Sequence, residues 1–368
     1  MTAAAIDAPF SPGLAGVVAA ETAISLVDGA NGVLLYRGYP IVEVVRTGTY
    51  GAVLDLLLTG EWHAHATLEP APVPADVLTA LRLLPPGTHP MDALRTAVSA
   101  WGAMHRIAWP PTAEQARELI AFAPSALAAF ARLRQGLEPV SPQPGLDLAS
   151  AFLQQLHDAS PDPATARALE AYLMACAEHG LNASTFAARV IVATRSDLAS
   201  TIVGAIGALK GPLHGGAPAE VLGQLDEIGS VDRAEAWARD RLGRRELIMG
   251  FGHRVYRAYD PRAAALRVVA EHLPQRPPWL DLAIGAEEVI LRVFAEVKPN
   301  RVIKTNVEFY AAAVLQGVGL TPDLFPAVFG IARMAGWSAH AIEQAAVDKI
   351  IRPEARYVGP AARHLPGA

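Results

Sequence analysis

Cysteine is almost missing: Cys176 stands alone among 368 residues. An intramolecular disulfide framework and a cysteine-rich zinc site are therefore excluded. The single thiol lies in the apolar run 171–177, so it reads as a core residue rather than a nucleophile, and a reducing cytoplasm fits. Charge is also sparse, at 18% of residues, with a net of −5 and no basic block. The electrostatic footprint of a nucleic-acid binder is missing. The first ten residues carry Asp7 and no lysine or arginine, unlike a secretory signal or an arginine-rich transit peptide. Long apolar runs are lacking too, although 52% of residues are hydrophobic. Leu119–Leu133 is interrupted by Pro124 and Arg132, and Tyr310–Leu320 by Gln316 and two glycines. Neither offers the roughly 18 apolar residues of a membrane helix.

What is present in quantity is alanine, which favours closely packed helices. The length suffices for a large core and two domains. Leu94, Val98 and Trp101 share a helical face, as do Val307, Tyr310, Ala311, Val314 and Val318. Phe325, Val328, Ala332, Ala339 and Ile342 continue the same spacing. One short strand is predicted near Gly32–Tyr36. Proline clusters at Pro70–Pro74, Pro110–Pro111, Pro139–Pro144, Pro161–Pro163 and Pro274–Pro278 mark loops between helices, and residues 359–368 read as a loose tail. These patterns predict a large all-α protein.

Four segments do not read as ordinary connectors. They are His179-Gly-Leu-Asn-Ala-Ser-Thr, Lys210-Gly-Pro-Leu-His214-Gly-Gly-Ala-Pro, Met249-Gly-Phe-Gly-His253-Arg-Val-Tyr-Arg-Ala-Tyr-Asp-Pro-Arg262 and Thr305-Asn-Val-Glu308-Phe-Tyr. In the second, glycines allow close approach of a ligand to the main chain, and Pro218 suits the first turn of a helix over Pro218–Leu225. A histidine just ahead of a helix N-terminus is kept neutral, which suits a hydrogen-bond donor to a developing enolate. A turn histidine that merely caps a loop is the plainer alternative. In the third segment, Asp260-Pro261 predicts a helix from Pro261 through Leu273 with Arg262 in its first turn, an arrangement suited to a carboxylate or phosphate. Arg254, Arg257 and Arg262 could equally form a solvated basic face. Glu308, among Val307, Phe309 and Tyr310, reads as a partly desolvated base or as an exposed first-turn glutamate.

Other patterns carry less. Gly250-Phe-Gly has no preceding strand and no third glycine, so a dinucleotide site is rejected. His63-Ala-His65 is a weak metal-like pair, while His89 and His340 read as structural.

Taken in order, the four segments resemble the citrate synthase family. Arg333 in Ala-Arg-Met-Ala-Gly-Trp and Arg352 in Ile-Ile-Arg-Pro extend the resemblance, as do Gly16-Val-Val-Ala-Ala-Glu-Thr-Ala-Ile-Ser, Tyr36-Arg-Gly-Tyr and His89-Pro-Met-Asp-Ala-Leu-Arg-Thr-Ala-Val. The resemblance implies condensation of acetyl-CoA with oxaloacetate, followed by hydrolysis of citryl-CoA. It implies Glu308 as the base, His214 as the enol stabiliser and His253 as the acid at the oxaloacetate carbonyl. His179, Arg262, Arg333 and Arg352 would hold the dicarboxylate, with Arg352 contributed by the other subunit of a homodimer. Arg257, Lys298 and Lys304 would face CoA. No metal or redox cofactor is implied.

The implied fold is helical, with a large domain from 1–216 and 323–368, a small domain from 217–322, and a cleft between them that closes on substrate. Many family members carry aspartate where this chain has Glu308. The sequence also lacks the additional N-terminal domain of large, NADH-regulated members, resembling the shorter dimeric type. Propionyl-CoA in place of acetyl-CoA, making a 2-methylcitrate synthase, and a weakly active regulatory paralogue that binds CoA or dicarboxylates remain as alternatives.

Overall fold

The computed structural model describes residues 10–214, 217–252, 256–274 and 279–363. Within these residues the all-α expectation holds. The helices are α1 (Ile41–Thr47), α2 (Tyr50–Thr59), α3 (Ala75–Arg82), α4 (Pro90–His105), α5 (Ala113–Leu133), α6 (Leu148–His157), α7 (Pro163–Cys176), α8 (Ala183–Val192), α9 (Leu198–Leu209), α10 (Ala217–Ile228), α11 (Val231–Gly243), α12 (Pro261–Glu271), α13 (Leu280–Val297), α14 (Val307–Gly317) and α15 (Phe325–Val347).

Side chains at their starts define many of them. Thr49, Thr112, Asp147, Asp162, Asn182, Asp197, Asp260 and Asn306 each accept a first-turn backbone N–H. Each such cap stabilises its helix by about 1 kcal/mol. Thr112 and Gln115 complete a reciprocal capping box. His89, read as structural, caps α4 through Met91 N–H at 3.1 Å.

Two features extend the sequence reading. Pro124 does not end a helix: α5 runs through it without interruption. An interior proline costs about 3 kcal/mol, but every residue from Leu119 to Arg132 is buried, and packing outweighs that loss. The predicted strand is the middle of a three-stranded antiparallel sheet, β1 (Ser25–Asp28), β2 (Val33–Tyr36) and β3 (Tyr39–Pro40). Its β1–β2 turn reaches toward the Asp260 region, where Gly29 O accepts from Arg257 N–H at 2.7 Å.

α15 is buried along most of its length and packs against α2, α4, α5, α7, α8 and α9. The helices α10 to α14 pack largely on one another, through α11 with α13, α12 with α14, and α10 with both α11 and α14. They meet the rest of the chain where α12 touches α1 and α7, α14 touches α7, and α10 touches α15. The site forms at that junction. Among the described residues, no helix is long and apolar enough to cross a membrane.

Candidate active site

Four helix ends and one buried helix face bring the singled-out residues together. His179 sits in the turn between α7 and α8, and Asn182 caps α8 by accepting Thr185 N–H at 3.1 Å. His214 ends the turn after α9, its N–H bonded to Gly211 O at 2.9 Å. Arg262 opens α12, Glu308 opens α14, and Arg333 lies in the middle of α15.

The segment leading to His253 is held against the start of α14. Phe251 pairs with Thr305, Asn306 N–H donates to Gly250 O at 2.9 Å, and Asn306 Nδ2 donates to Gly252 O at 2.7 Å. Gly250 has φ +84°, and a Cβ there would lie 2.7 Å from Phe309 Cδ2, so the backbone passes directly over the neighbour of Glu308. His253 and Arg254 themselves lie outside the described residues.

The electrostatics separate the titratable groups. Burial pushes Glu308 up to about 7, with Asp260 raising it further and Arg262 and Arg333 pulling it down. Among the described residues no donor is hydrogen-bonded to its carboxylate. His214 moves the other way: burial and the Arg333 charge lower it to about 4, against a hydrogen bond to its own backbone. This direction favours the neutral imidazole that the sequence suggests. Burial and Arg333 act in the same direction as the expected helix N-terminus, and α10 starts at Ala217, just after His214.

His214 Nε2 is 2.9 Å from Ser184 Oγ. Ser184 also meets Asn182 Oδ1 at 2.8 Å and accepts from Trp337 Nε1 at 3.1 Å. The sequence singled out neither Ser184 nor Trp337; the Asn-Ala-Ser start of α8 was the available signal. His179 Nε2 lies 3.1 Å from the Tyr256 hydroxyl, a third residue missed.

The arginines differ in their availability. Arg262 is buried, as expected for a first-turn residue, but its fork is turned back onto Asp260, with Nε and a terminal nitrogen at 3.1 and 2.7 Å. Arg333 is buried at 2% exposure, and its Nε donates to Cys176 O at 2.7 Å. Among the described residues no carboxylate pairs with it. Arg257 and Lys298 line a cleft of about 640 Å³ together with Phe251, Phe294 and Arg301. Lys304 and Arg352 are exposed, and neither side chain lines this cleft. His63, of the weak metal-like pair, bonds Asp55 at 3.0 Å, and no cluster fit for a metal ion occurs among the described residues.

Comparison with known proteins gives concordant matches over nearly the whole chain. The family model "Citrate synthase, C-terminal domain" matches residues 13–354. A citrate synthase of Synechocystis is 39% identical over 95% of this chain and 91% of its own length. A 2-methylcitrate synthase of Mycobacterium tuberculosis is 39% identical over 100% of this chain and 95% of its own. The solved ternary complex of Thermoplasma acidophilum citrate synthase with carboxymethyl coenzyme A and oxaloacetate superposes with a TM-score of 0.88 at 30% identity, covering 98% of this chain and 99% of that one. With the fold, the ordered motifs and the near-complete coverage in agreement, this chain belongs to the citrate synthase family.

Proposed function

We propose that this protein condenses acetyl-CoA with oxaloacetate and hydrolyses the resulting citryl-CoA to citrate and CoA. The observation that carries this reading is Arg333, a buried guanidinium without a carboxylate partner among the described residues, whose charge acts on both His214 and Glu308. Glu178 and Glu308 offset its charge only at a distance, so the guanidinium is left to pair directly with an anionic ligand. Oxaloacetate supplies two carboxylates. His179 and Arg262 assist in holding them, Arg262 by exchanging part of its Asp260 pairing for substrate.

The chemistry follows from the separation of the two titrations. Glu308, poised near neutral pH, removes a proton from the thioester methyl group. The negative charge that develops on the thioester oxygen needs a donor that is not already an imidazolium, and neutral His214 supplies it. The enol carbon then attacks the keto carbon of oxaloacetate while His253 donates a proton to the carbonyl oxygen. Water finally cleaves the thioester. Side chains and the two substrates suffice; no metal or redox cofactor enters.

The cleft lined by Arg257 and Lys298 suits the phosphates and pantetheine of CoA, and the exposed Lys304 directly follows its lining residue Ile303 in the chain. Residues 217–322 form a small domain that closes on the large domain made of 1–216 and 323–368. Support comes from the way α10 to α14 pack mostly on one another. The exposed Ile350, Tyr357 and Val358 in the C-terminal segment support a homodimer in which Arg352 reaches the partner's site. The single buried thiol suits a reducing cytoplasm.

The test is release of CoA thiol with oxaloacetate and either acetyl-CoA or propionyl-CoA, beside Glu308→Gln. Turnover that prefers acetyl-CoA and is lost in Glu308→Gln is the expected result. Preference for propionyl-CoA makes the protein a 2-methylcitrate synthase, and ligand binding without turnover makes it a regulator. Unchanged turnover in Glu308→Gln removes that residue as the base.

A further inference from the structure

The seam between α8 and α15 carries more than the Ser184–Trp337 contact. One turn beyond Trp337 on α15 lies His340, fully buried, and opposite it on α8 lies Arg189 at 1% exposure. Arg189 Nε and one terminal nitrogen approach His340 Nδ1 at 2.9 and 2.7 Å. Guanidinium nitrogens only donate, so Nδ1 must accept and the ring hydrogen sits on Nε2. That hydrogen is directed to Glu178 Oε1 at 3.2 Å. Arg189 is itself fixed: it donates to Gln344 Oε1 at 3.0 Å and pairs with Glu343, which accepts Ala23 N–H at 2.8 Å.

Glu178 directly precedes His179. Its Oε1 also accepts from Ser25 Oγ at 2.9 Å and from Gly180 N–H, so the carboxylate clasps the turn on both sides of His179. Its Oε2 has no hydrogen-bond partner, and α15 comes so close at Gly336 that a Cβ there would lie 2.3 Å from that oxygen. Burial pushes Glu178 up, while the hydrogen bonds from His340 and Ser25 and the charge of Arg333 pull it down. A fully buried carboxylate with one orphan oxygen depends on its remaining donors for orientation.

We propose that His340 is a positioning residue for oxaloacetate binding: by donating from Nε2 to Glu178 it fixes the 178–180 turn, and with it the ring of His179. The inference rests on His179 being a ligand of the dicarboxylate. The tautomer set by Arg189 makes the support one-directional, from α8 through α15 back to the turn that opens α8.

Three His340 and Ser25 variants are compared with His179→Ala, reading KM for each substrate, kcat and Tm. His340→Leu, which removes donor and acceptor together, raises KM for oxaloacetate about tenfold or more while KM for acetyl-CoA stays within about twofold. His340→Gln keeps an acceptor for Arg189 and a donor for Glu178, and restores most of the oxaloacetate affinity. Ser25→Ala removes a different donor to the same oxygen and gives a smaller rise confined to oxaloacetate.

A merely structural histidine lowers Tm without separating the two KM values, and that result overturns the proposal. If His340→Leu does not fold, Ser25→Ala and His340→Gln decide. Normal oxaloacetate KM in Ser25→Ala, with equal changes for both substrates in His340→Gln, also overturns it. If His179→Ala raises the oxaloacetate KM and His340→Leu does not, this inference alone fails. If His179→Ala has no effect, the assignment of His179 fails and the inference falls with it.

Discussion

Ser184 Oγ stands between His214 Nε2 at 2.9 Å and Asn182 Oδ1 at 2.8 Å, and has one hydrogen to give. Asn182 Oδ1 already accepts Thr185 N–H, which fixes its amide orientation, and Trp337 N–H occupies a lone pair of Ser184. Donation to Asn182 makes His214 the donor from Nε2. Donation to His214 leaves the ring hydrogen on Nδ1, where the enolate would replace the residue's own backbone oxygen as acceptor. Ser184→Ala removes this choice and should lower kcat about 10- to 100-fold with little change in either KM, in line with weakening an oxyanion donor. Steady-state kinetics on both substrates check it; an unchanged kcat shows that the ring orients itself.

Gly250 ties the His253-bearing segment to the helix of the base. Its φ of +84° is strained for any residue with a side chain, and an added Cβ would meet Phe309 at 2.7 Å. Gly250→Ala should cost about 1–3 kcal/mol of stability and displace Phe309 next to Glu308. Thermal unfolding and kcat report the two effects; a variant with native Tm and kcat shows that the loop relaxes freely.

The parts of this site that were legible in the sequence share one property: they lie in short segments where glycine, proline and a polar residue break an apolar pattern. His179, His214, Arg262 and Glu308 all stand at such interruptions. Their supports do not. Trp337 and Ser184 are 153 residues apart, and Tyr36, whose hydroxyl bonds the carbonyls of Met174, Ala175 and Glu178 at the end of α7, is equally remote from its partners. Such pairings leave no local periodicity. The continuity of α5 through Pro124 was hidden for a related reason, since burial by distant helices decides it. β1 and β3 were missed because β1, unlike the equally long β2, does not alternate buried and open positions, and β3 has only two residues.

Cys176 offers a check on packing around the site floor. Burial pushes its thiol up to about 12, and the Arg262 and Arg333 charges only partly offset this. A thiol reagent at pH 8 should leave the native protein unlabelled and modify one group after denaturation. Rapid native labelling shows instead that α7 opens to solvent.

Glu308 links pH to both rate and stability, with opposite signs. Its ordinary value of 4.5 is raised to about 7 in the folded protein, chiefly by burial. As a base it acts only when ionised, so kcat/KM should fall tenfold per pH unit below about 7, a limb that Glu308→Gln lacks. For stability, the neutral carboxyl is the form that the folded state favours. Its contribution is fully present below 4.5 and is lost as pH rises through about 7. Glu308→Gln, which cannot ionise, should therefore melt higher than the parent protein at pH 8, and the gain should vanish near pH 4.5. Paired melting curves at the two pH values measure it. A gain that persists at low pH reflects packing rather than charge, and no gain at pH 8 means that the carboxylate is well solvated in the open cleft.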